Sequence, residues 1–408
     1  MDSSWKTFVG IDWSSVEHEV YAQNAGGEQV DGRAFKHSGD GLGDLCTWLQ
    51  KFGEPGTIAV AIEVPHGSVV ETLLDRGFAV FSINPKQLDR FRDRFAVSGS
   101  KDDRLDARVL ADSLRTDGHL FRRLAMQPAT VIELREWSRM HDELQGERNR
   151  LVNQMRAQLT RYFPAFLDVA NDPGADWATR LFEYISDSTA ATKARPAEVT
   201  KILDKHRIRR FEAKDVLERL RQCPVFSAPG TATAAKAHLL LLCERVRLVN
   251  VQLRTCHSQL QQILDQLAEG SAPGQTCEQR DVAIILSTPG IGMIVASTLL
   301  GEAAEPLKAR DYPALRALTG VAPVTRRSGK KHTVSMRTAC HPRLRNAVYH
   351  WARVATMNDD TSKVRYTELR ARGKTHGQAL RSVADRLLGV LCAMLRTQTH
   401  FRPKQIAA

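Results

Sequence analysis

No C-x-x-C pair and no zinc-ligand spacing occurs among the seven cysteines, which stand singly at 46, 223, 243, 256, 277, 340 and 392. An odd, dispersed set excludes a disulfide framework and reads as the reduced thiols of a cytosolic protein. No G-x-S-x-G elbow is present, which argues against a serine hydrolase. The start, MDSSWKTFVGID, lacks the basic-then-apolar layout of a secretory leader. No long low-complexity tract appears and 42% of the residues are hydrophobic, so a disordered chain is excluded. One uncharged run, Val282 to Gly301, has about the length of a membrane span, but Pro289-Gly290-Ile291-Gly292 interrupts its middle. It reads as two short helices around a tight turn, and no membrane partner is expected. Negative charge is also in short supply. Asp and Glu number 46 against 58 Lys and Arg, a formal net charge of +12. That balance calls for a polyanionic partner, and with the membrane set aside the polyanion is nucleic acid.

At 408 residues, two or three domains are expected. The first 120 or so residues alternate strand and helix patterns. TFVGIDW, EHEVYAQNA and QVDGRAFKH read as strands, GDLCTWLQKFG as a helix closed by Gly53, TIAVAIEV as a buried strand, GSVVETLLDRG as a helix and FAVFSI as a strand. Helical sequence with charged faces then runs from Asn84 to about Asp117. Three strands, helix, strand, helix, strand, helix is the element order of an RNase H-like fold. A long helix is expected over 130–162, with Leu144, Leu151, Met155, Leu159 and Tyr162 along one stripe and Pro164 as its stop. A second is expected over 232–268, where Leu239, Leu242, Val246, Val249, Leu253, Cys256, Leu260, Ile263 and Leu267 step by 3 and 4 without a break. That is the seam of a coiled coil, whose partner is either the 130–162 helix or another subunit. Between them, residues 164–230 read as a small helical insertion. After a break at EGSAPGQ the remainder is mostly helical. The expected domains are 1–122, 123–272 and 273–408, an α/β domain followed by α.

Acids mark one candidate site. Asp12 closes the first strand pattern and Glu63 the fourth, so parallel, adjacent central strands would bring both to one sheet edge. Asp103 and Asp106, three apart, share a helix face. Four such acids repel one another unless cations sit among them, and Mg²⁺, in a two-ion clamp for phosphoryl transfer, suits oxygen ligands. The plainer reading is that Asp102 caps a helix and its neighbours favour the helix N-terminus. A second candidate site is basic. Ser328 lies between Arg326-Arg327 and Lys330-Lys331, with Arg337, Arg343 and Arg345 downstream, a plausible contact surface for DNA or RNA. From chemistry alone, a serine beside a glycine is usually a turn residue. Gly290 and Gly292, opening a helix, are suited to phosphate or are an ordinary helix–helix turn.

Taken together, GIDWS, AIEVPHG, SKDDRLDARVLAD, STPGIG, LTGVAPVTRRSGK, RLRNAVYHWA and YTELRARGKTHGQALRSVADRLLGVLCAML occur in the order found in bacterial DEDD insertion-sequence transposases. The chain resembles this group, the IS-one-ten family, which is related to Piv-type DNA invertases. The resemblance covers the first 120 residues and about 280–396. It implies an RuvC-like (RNase H-like) N-terminal domain, a coiled coil and a mainly helical C-terminal transposase domain with an essential serine. The family's K-T-D-x-x-D-A pattern falls on Lys101 to Ala107, which makes Asp103 and Asp106 ligands beside Asp12 and Glu63. Asp102 stands where Thr or Asn is common, leaving the choice between Asp102 and Asp103 open. The family serine falls on Ser328. The resemblance also implies recombination through a phosphoserine link, with Mg²⁺ as cofactor and Mn²⁺ as substitute. Donor and target DNA, an element-encoded bridge RNA that guides them, and a homo-oligomer (dimer or tetramer) are the implied partners. A bacterial, cytoplasmic and nucleoid-associated protein is the corresponding expectation. The alternatives are a Piv-like invertase, a junction nuclease that cuts without rejoining, and a non-enzymatic nucleic-acid scaffold.

Overall fold

The structure, a computed structural model, describes residues 5–83, 85–94, 102–222, 225–228, 230–269, 277–329 and 331–402. Two compact units make up the chain, Met1–Pro128 and Ala129–Ala408.

The first unit is built on a mixed sheet. Its elements are β1 (Thr7–Asp12), β2 (Glu17–Asn24), β3 (Gln29–Lys36), α1 (Gly39–Gln50), β4 (Ile58–Ile62), α2 (Ser68–Asp75), β5 (Ala79–Ser82), α3 (Pro85–Arg92), α4 (Asp103–Asp117) and the short edge strand β6 (Arg122–Arg123). The strand order is β3-β2-β1-β4-β5-β6. β1 pairs antiparallel with β2 and parallel with β4, and β5 is parallel to β4. This order is consistent with the RNase H-like expectation.

Alternation along the strands assigns the two faces. Val9, Ile11, Val60 and Ile62 pack with Leu45, Leu49 and Leu73 of α1 and α2. Phe8, Ala59 and Ala61 pack with Leu88 and Phe91 of α3 and with Val109, Leu110 and Leu114 of α4. Gly10 shares this second face, and α4 lies directly on it. A Cβ there would stand 1.9 Å from the Ala107 carbonyl oxygen and 2.7 Å from the Ala111 nitrogen. Only a residue without a side chain lets the helix approach the strand this closely.

The second unit is mainly helical. It opens with α5 (Ala129–Tyr162), followed by five short helices: α6 (Ala165–Val169), α7 (Asp176–Tyr184), α8 (Ser188–Lys193), α9 (Pro196–Lys205) and α10 (Ala213–Leu220). The long α11 (Thr231–Glu269) comes next. Then come α12 (Cys277–Leu286), α13 (Met293–Glu302), α14 (Ala304–Lys308), α15 (Tyr312–Leu318), the hairpin β7 (Val324–Ser328) and β8 (Lys331–Ser335), α16 (Pro342–Asn358), α17 (Asp360–Ala371) and α18 (His376–Thr397).

The expected seam of α11 has its partner in the same chain. Leu239 to Val249 share a core with Leu151, Met155 and Leu159 of α5, whereas Leu260 to Leu267 share one with Leu134, so the two helices run antiparallel. The five short helices cover one end of the pair, burying Phe166, Leu181, Phe182, Val199 and Leu217. The uncharged run is broken where its Pro-Gly signal falls, between α12 and α13, and no described helix is long and apolar enough to cross a membrane. Gly290 takes φ +84°, and its Cα side lies against α16, where a Cβ would meet the Ala355 nitrogen at 2.7 Å. Trp351, fully buried, donates its indole N–H to the Pro289 carbonyl at 3.0 Å, pinning the turn to α16.

Candidate active site

β1 and β4 run in register, Gly10 beside Ala61 and Ile11 beside Ile62. The next step along each strand is Asp12 and Glu63, so the two acids leave the same sheet edge side by side. Asp12 lies in phase with Gly10, on the face that α4 covers, and Glu63 follows directly after the end of β4. The helix presents its first turn at this edge, because Ala107 and Ala111 are the residues that meet Gly10. Asp102 caps it, its carboxylate accepting the Arg104 backbone N–H at 3.2 Å, and Asp103 and Asp106 follow in the first turn. The capping role read for Asp102 is thus the one it holds. Asp103 is exposed, whereas Asp106 is only 2% exposed.

A further acid stands at the same place. Glu19 of β2 lies directly opposite Asp12 in the antiparallel ladder, and its carboxylate is 3.7 Å from the Arg104 guanidinium. A second cation is more tightly held. Arg92, in the last turn of α3, donates from Nε and Nη2 to the two oxygens of Asp106 at 2.6 and 2.8 Å. Hydrogen bonding to Asp106 outweighs the opposing effect of burial. With the charges of Asp106, Asp89 and Glu63 it pushes the Arg92 guanidinium above its ordinary pKa.

Chemically these donors suit a hard divalent cation, being carboxylate oxygens throughout. Their present arrangement is closed. Both oxygens of Asp106 face Arg92, and among the described residues no three or more His, Cys, Asp or Glu side chains gather closely enough to hold an ion.

Ser328 belongs to the second unit. It ends β7, paired with Lys331, at the tip of a hairpin whose turn begins at Gly329 with φ +53°. It is exposed, as are Arg326 and Arg327 on the same strand. Lys330 and the side chain of Lys331 lie outside the described residues.

Residues 9–164 match the model of the IS110-type DEDD transposase, and residues 282–367 match that of the transposase IS116/IS110/IS902 family. Asp12, Glu63, Asp103 and Asp106 fall inside the first match and Ser328 inside the second. The chain is 31% identical over 417 residues to the mini-circle putative transposase for IS117 of Streptomyces coelicolor, covering 98% of this chain and 96% of that one. The chain belongs to the IS110 family of insertion-sequence transposases. It is also 48% identical over 228 residues to the putative transposase y4uE of Sinorhizobium fredii, a match spanning 55% of this chain and 62% of that relative, less than two thirds of its length. The insertion element IS110 uncharacterized 43.6 kDa protein of S. coelicolor is 27% identical over 98% of the chain.

Within this IS110-family chain, the basic residues expected to touch nucleic acid divide into two groups. Arg326 and Arg327 are exposed on β7, and Arg345 is half-buried, without a hydrogen bond or ion pair from its side chain among the described residues. Arg337 is half-buried, with only a long bond of 3.4 Å to the Ala322 carbonyl. Gly292 is exposed at the N-terminus of α13, where a Cβ would meet nothing within 4 Å, unlike Gly290, which serves the packing of α16. Arg343 forms the second group, already engaged within the chain. Its guanidinium is turned into unit two, donating to Asp142 at 2.7 Å, to the Ser138 hydroxyl at 2.8 Å and to Glu302. Glu302 also accepts two N–H bonds from Arg139, at 2.8 and 3.0 Å. Burial alone would raise the Glu302 pKa, but the Arg139 bonds and the charges of Arg139, His341 and Arg343 outweigh it and hold the carboxyl below its usual range. Arg343 ties α16 to α5 and α13.

Proposed function

We propose that this transposase cuts and rejoins DNA strands through Ser328, assisted by a divalent cation at the edge formed by Asp12, Glu63, Asp103 and Asp106. The reading rests on the register of β1 and β4, whose last pair, Ile11 beside Ile62, is followed by Asp12 and Glu63, and on α4 lying against Gly10 of β1. A DEDD transposase domain implies dependence on a divalent metal, and Mg²⁺ in a two-ion arrangement, with Mn²⁺ as substitute, meets that need. Bound there, the cation would supply Lewis acidity toward the phosphate and the serine hydroxyl.

The chain's own residues do the rest. Ser328 Oγ attacks phosphorus, the P–O bond to one deoxyribose breaks, and the phosphodiester is conserved as a phosphoserine ester. Attack by a hydroxyl of another strand releases the serine and rejoins the DNA, so no nucleotide hydrolysis is needed. Arg326 and Arg327, flanking the serine on an exposed strand, hold the DNA backbone by charge. The acids and the serine meet in a homo-oligomer in which one copy serves the other. A structured guide RNA occupies part of the remaining basic surface of a chain carrying +12 charge.

Asp12→Asn or Glu63→Gln should lose strand cleavage while nucleic-acid binding persists. EDTA should abolish wild-type recombination and added Mg²⁺ or Mn²⁺ should restore it. Full turnover in EDTA would remove the metal from the mechanism.

A further inference from the structure

Every nitrogen of the Arg92 guanidinium is engaged. Nε and Nη2 hold Asp106, and Nη1 donates to Asp89 at 3.1 Å. Asp106 is 2% exposed, and a carboxylate buried that deeply is costly unless a cation answers it. Arg92 is that cation. Through Asp106, in the first turn of α4, the guanidinium is tied to the acid edge. The rest of α3 is joined to the α4 side by Leu88 and Phe91, buried among Val109 and Leu110, and by the more exposed Arg94–Asp117 pair just beyond the helix.

We infer that Arg92 is the resident counter-cation of the acid edge and competes with the divalent cation for Asp106. The inference rests on the metal-binding reading of Asp12, Glu63, Asp103 and Asp106. A carboxylate gripped by two parallel N–H donors has one lone pair of each oxygen engaged and its charge answered by the guanidinium, so an approaching divalent cation must compete with that fork for it. The exchange replaces one cation by another, and Asp106 is never left buried and unpaired. Once released, α3 keeps its apolar contacts with α4 and the Arg94–Asp117 pair but loses its tie to Asp106. Arg92 is therefore a positioning residue, which keeps the acids neutralised and in place before the ion arrives.

The test measures Mn²⁺ and Mg²⁺ binding to the full chain by calorimetry, together with amide exchange along α3. Arg92→Gln should bind the ion about tenfold more tightly than wild type, since the competing charge-assisted bonds are gone. Arg92→Lys, which keeps the charge without the fork, should fall between. In the wild-type protein, which needs no substitution to fold, ion binding should speed amide exchange in α3. A merely structural arginine predicts the reverse, weaker binding in Arg92→Gln and no loosening of α3. Affinity that is unchanged or weaker, or α3 exchange that stays constant while the ion binds at a site abolished by Asp12→Asn, would overturn the inference alone. Absence of any ion binding dependent on Asp12 would overturn it together with the metal reading.

Discussion

The acid edge of the first unit and the serine hairpin of the second are held in place by opposite means. Asp12 and Glu63 are fixed by strand register, α4 by its contact with Gly10, and Asp106 by a two-pronged arginine. Ser328 sits on a two-stranded ribbon exposed along nearly its whole length, with Val334 59% and Met336 44% exposed near its end. An isolated hairpin has little stability of its own in water. The folding free energy of the chain thus positions the acids, whereas the serine depends on whatever covers its ribbon. On the proposed function, a serine held this loosely would act only where bound DNA covers its ribbon.

The comparison breaks most sharply at the serine. Ser328→Ala should lower recombination by at least about 10³-fold, since an enzyme without its nucleophile keeps only residual activity. Thermal stability should stay within about 0.5 kcal/mol of wild type, as for most exposed positions. Loss of the fold in that variant would show that the hairpin is not independent of the core. Gly10→Ala should do the opposite, acting on activity through stability. Forcing a methyl group against the Ala107 carbonyl should cost about 1–3 kcal/mol or more by displacing α4, and cleavage should fall with it. Denaturant unfolding checks the first part, and an unchanged midpoint would mean that the contact is easily relieved.

A smaller effect separates the anchored from the free arginines. Glu302 and Asp142 are held below the usual carboxylate range despite burial, by Arg139, His141, His341 and Arg343. Burial lowers the pKa of His341, aided by the charges of Arg343 and Arg139 and opposed by Glu302. A depressed carboxylate lends stability that is full above its unfolded pKa and lost as pH falls through the folded one. A depressed histidine penalises the fold once pH drops below its unfolded value. Both signs agree, so the second unit should weaken from about pH 6.5 downward and more steeply below about pH 4. Melting curves across that range, repeated for Glu302→Gln, should show the acid part of the slope flattened. The smallest effect belongs to the ribbon. Arg326→Ala with Arg327→Ala should leave melting unchanged and reduce the salt dependence of DNA binding by about one to two phosphate contacts.

What was legible in the sequence follows the same division. Strands that end in acids, the seam of α11 and the Pro-Gly break at 289–290 are local patterns, and the structure has them where those patterns fall. Glu19 was missed because its place opposite Asp12 depends on the register of a hairpin, which its own segment does not declare. Arg92 was missed because its partner is fixed by the packing of α3 on α4. The β7–β8 ribbon escaped notice within a mostly helical stretch because both its faces are polar, so no apolar alternation marks it. Arg343 looks like a DNA contact from the company of its neighbours in sequence. Its real partners, Ser138 and Asp142, stand more than 200 positions away. Crowding of basic residues shows that charge is present, and only tertiary structure tells which charges are already answered.

Serine and acids acting together on one phosphodiester would leave a covalent link between protein and DNA. Denaturing the protein during reaction with end-labelled DNA, then mapping any covalent adduct by mass spectrometry, tests it most directly. A phosphodiester bond to Ser328 is expected in the wild type, absent from both Ser328→Ala and Asp12→Asn. Rejoined product, or an adduct, formed by Ser328→Ala would contradict it.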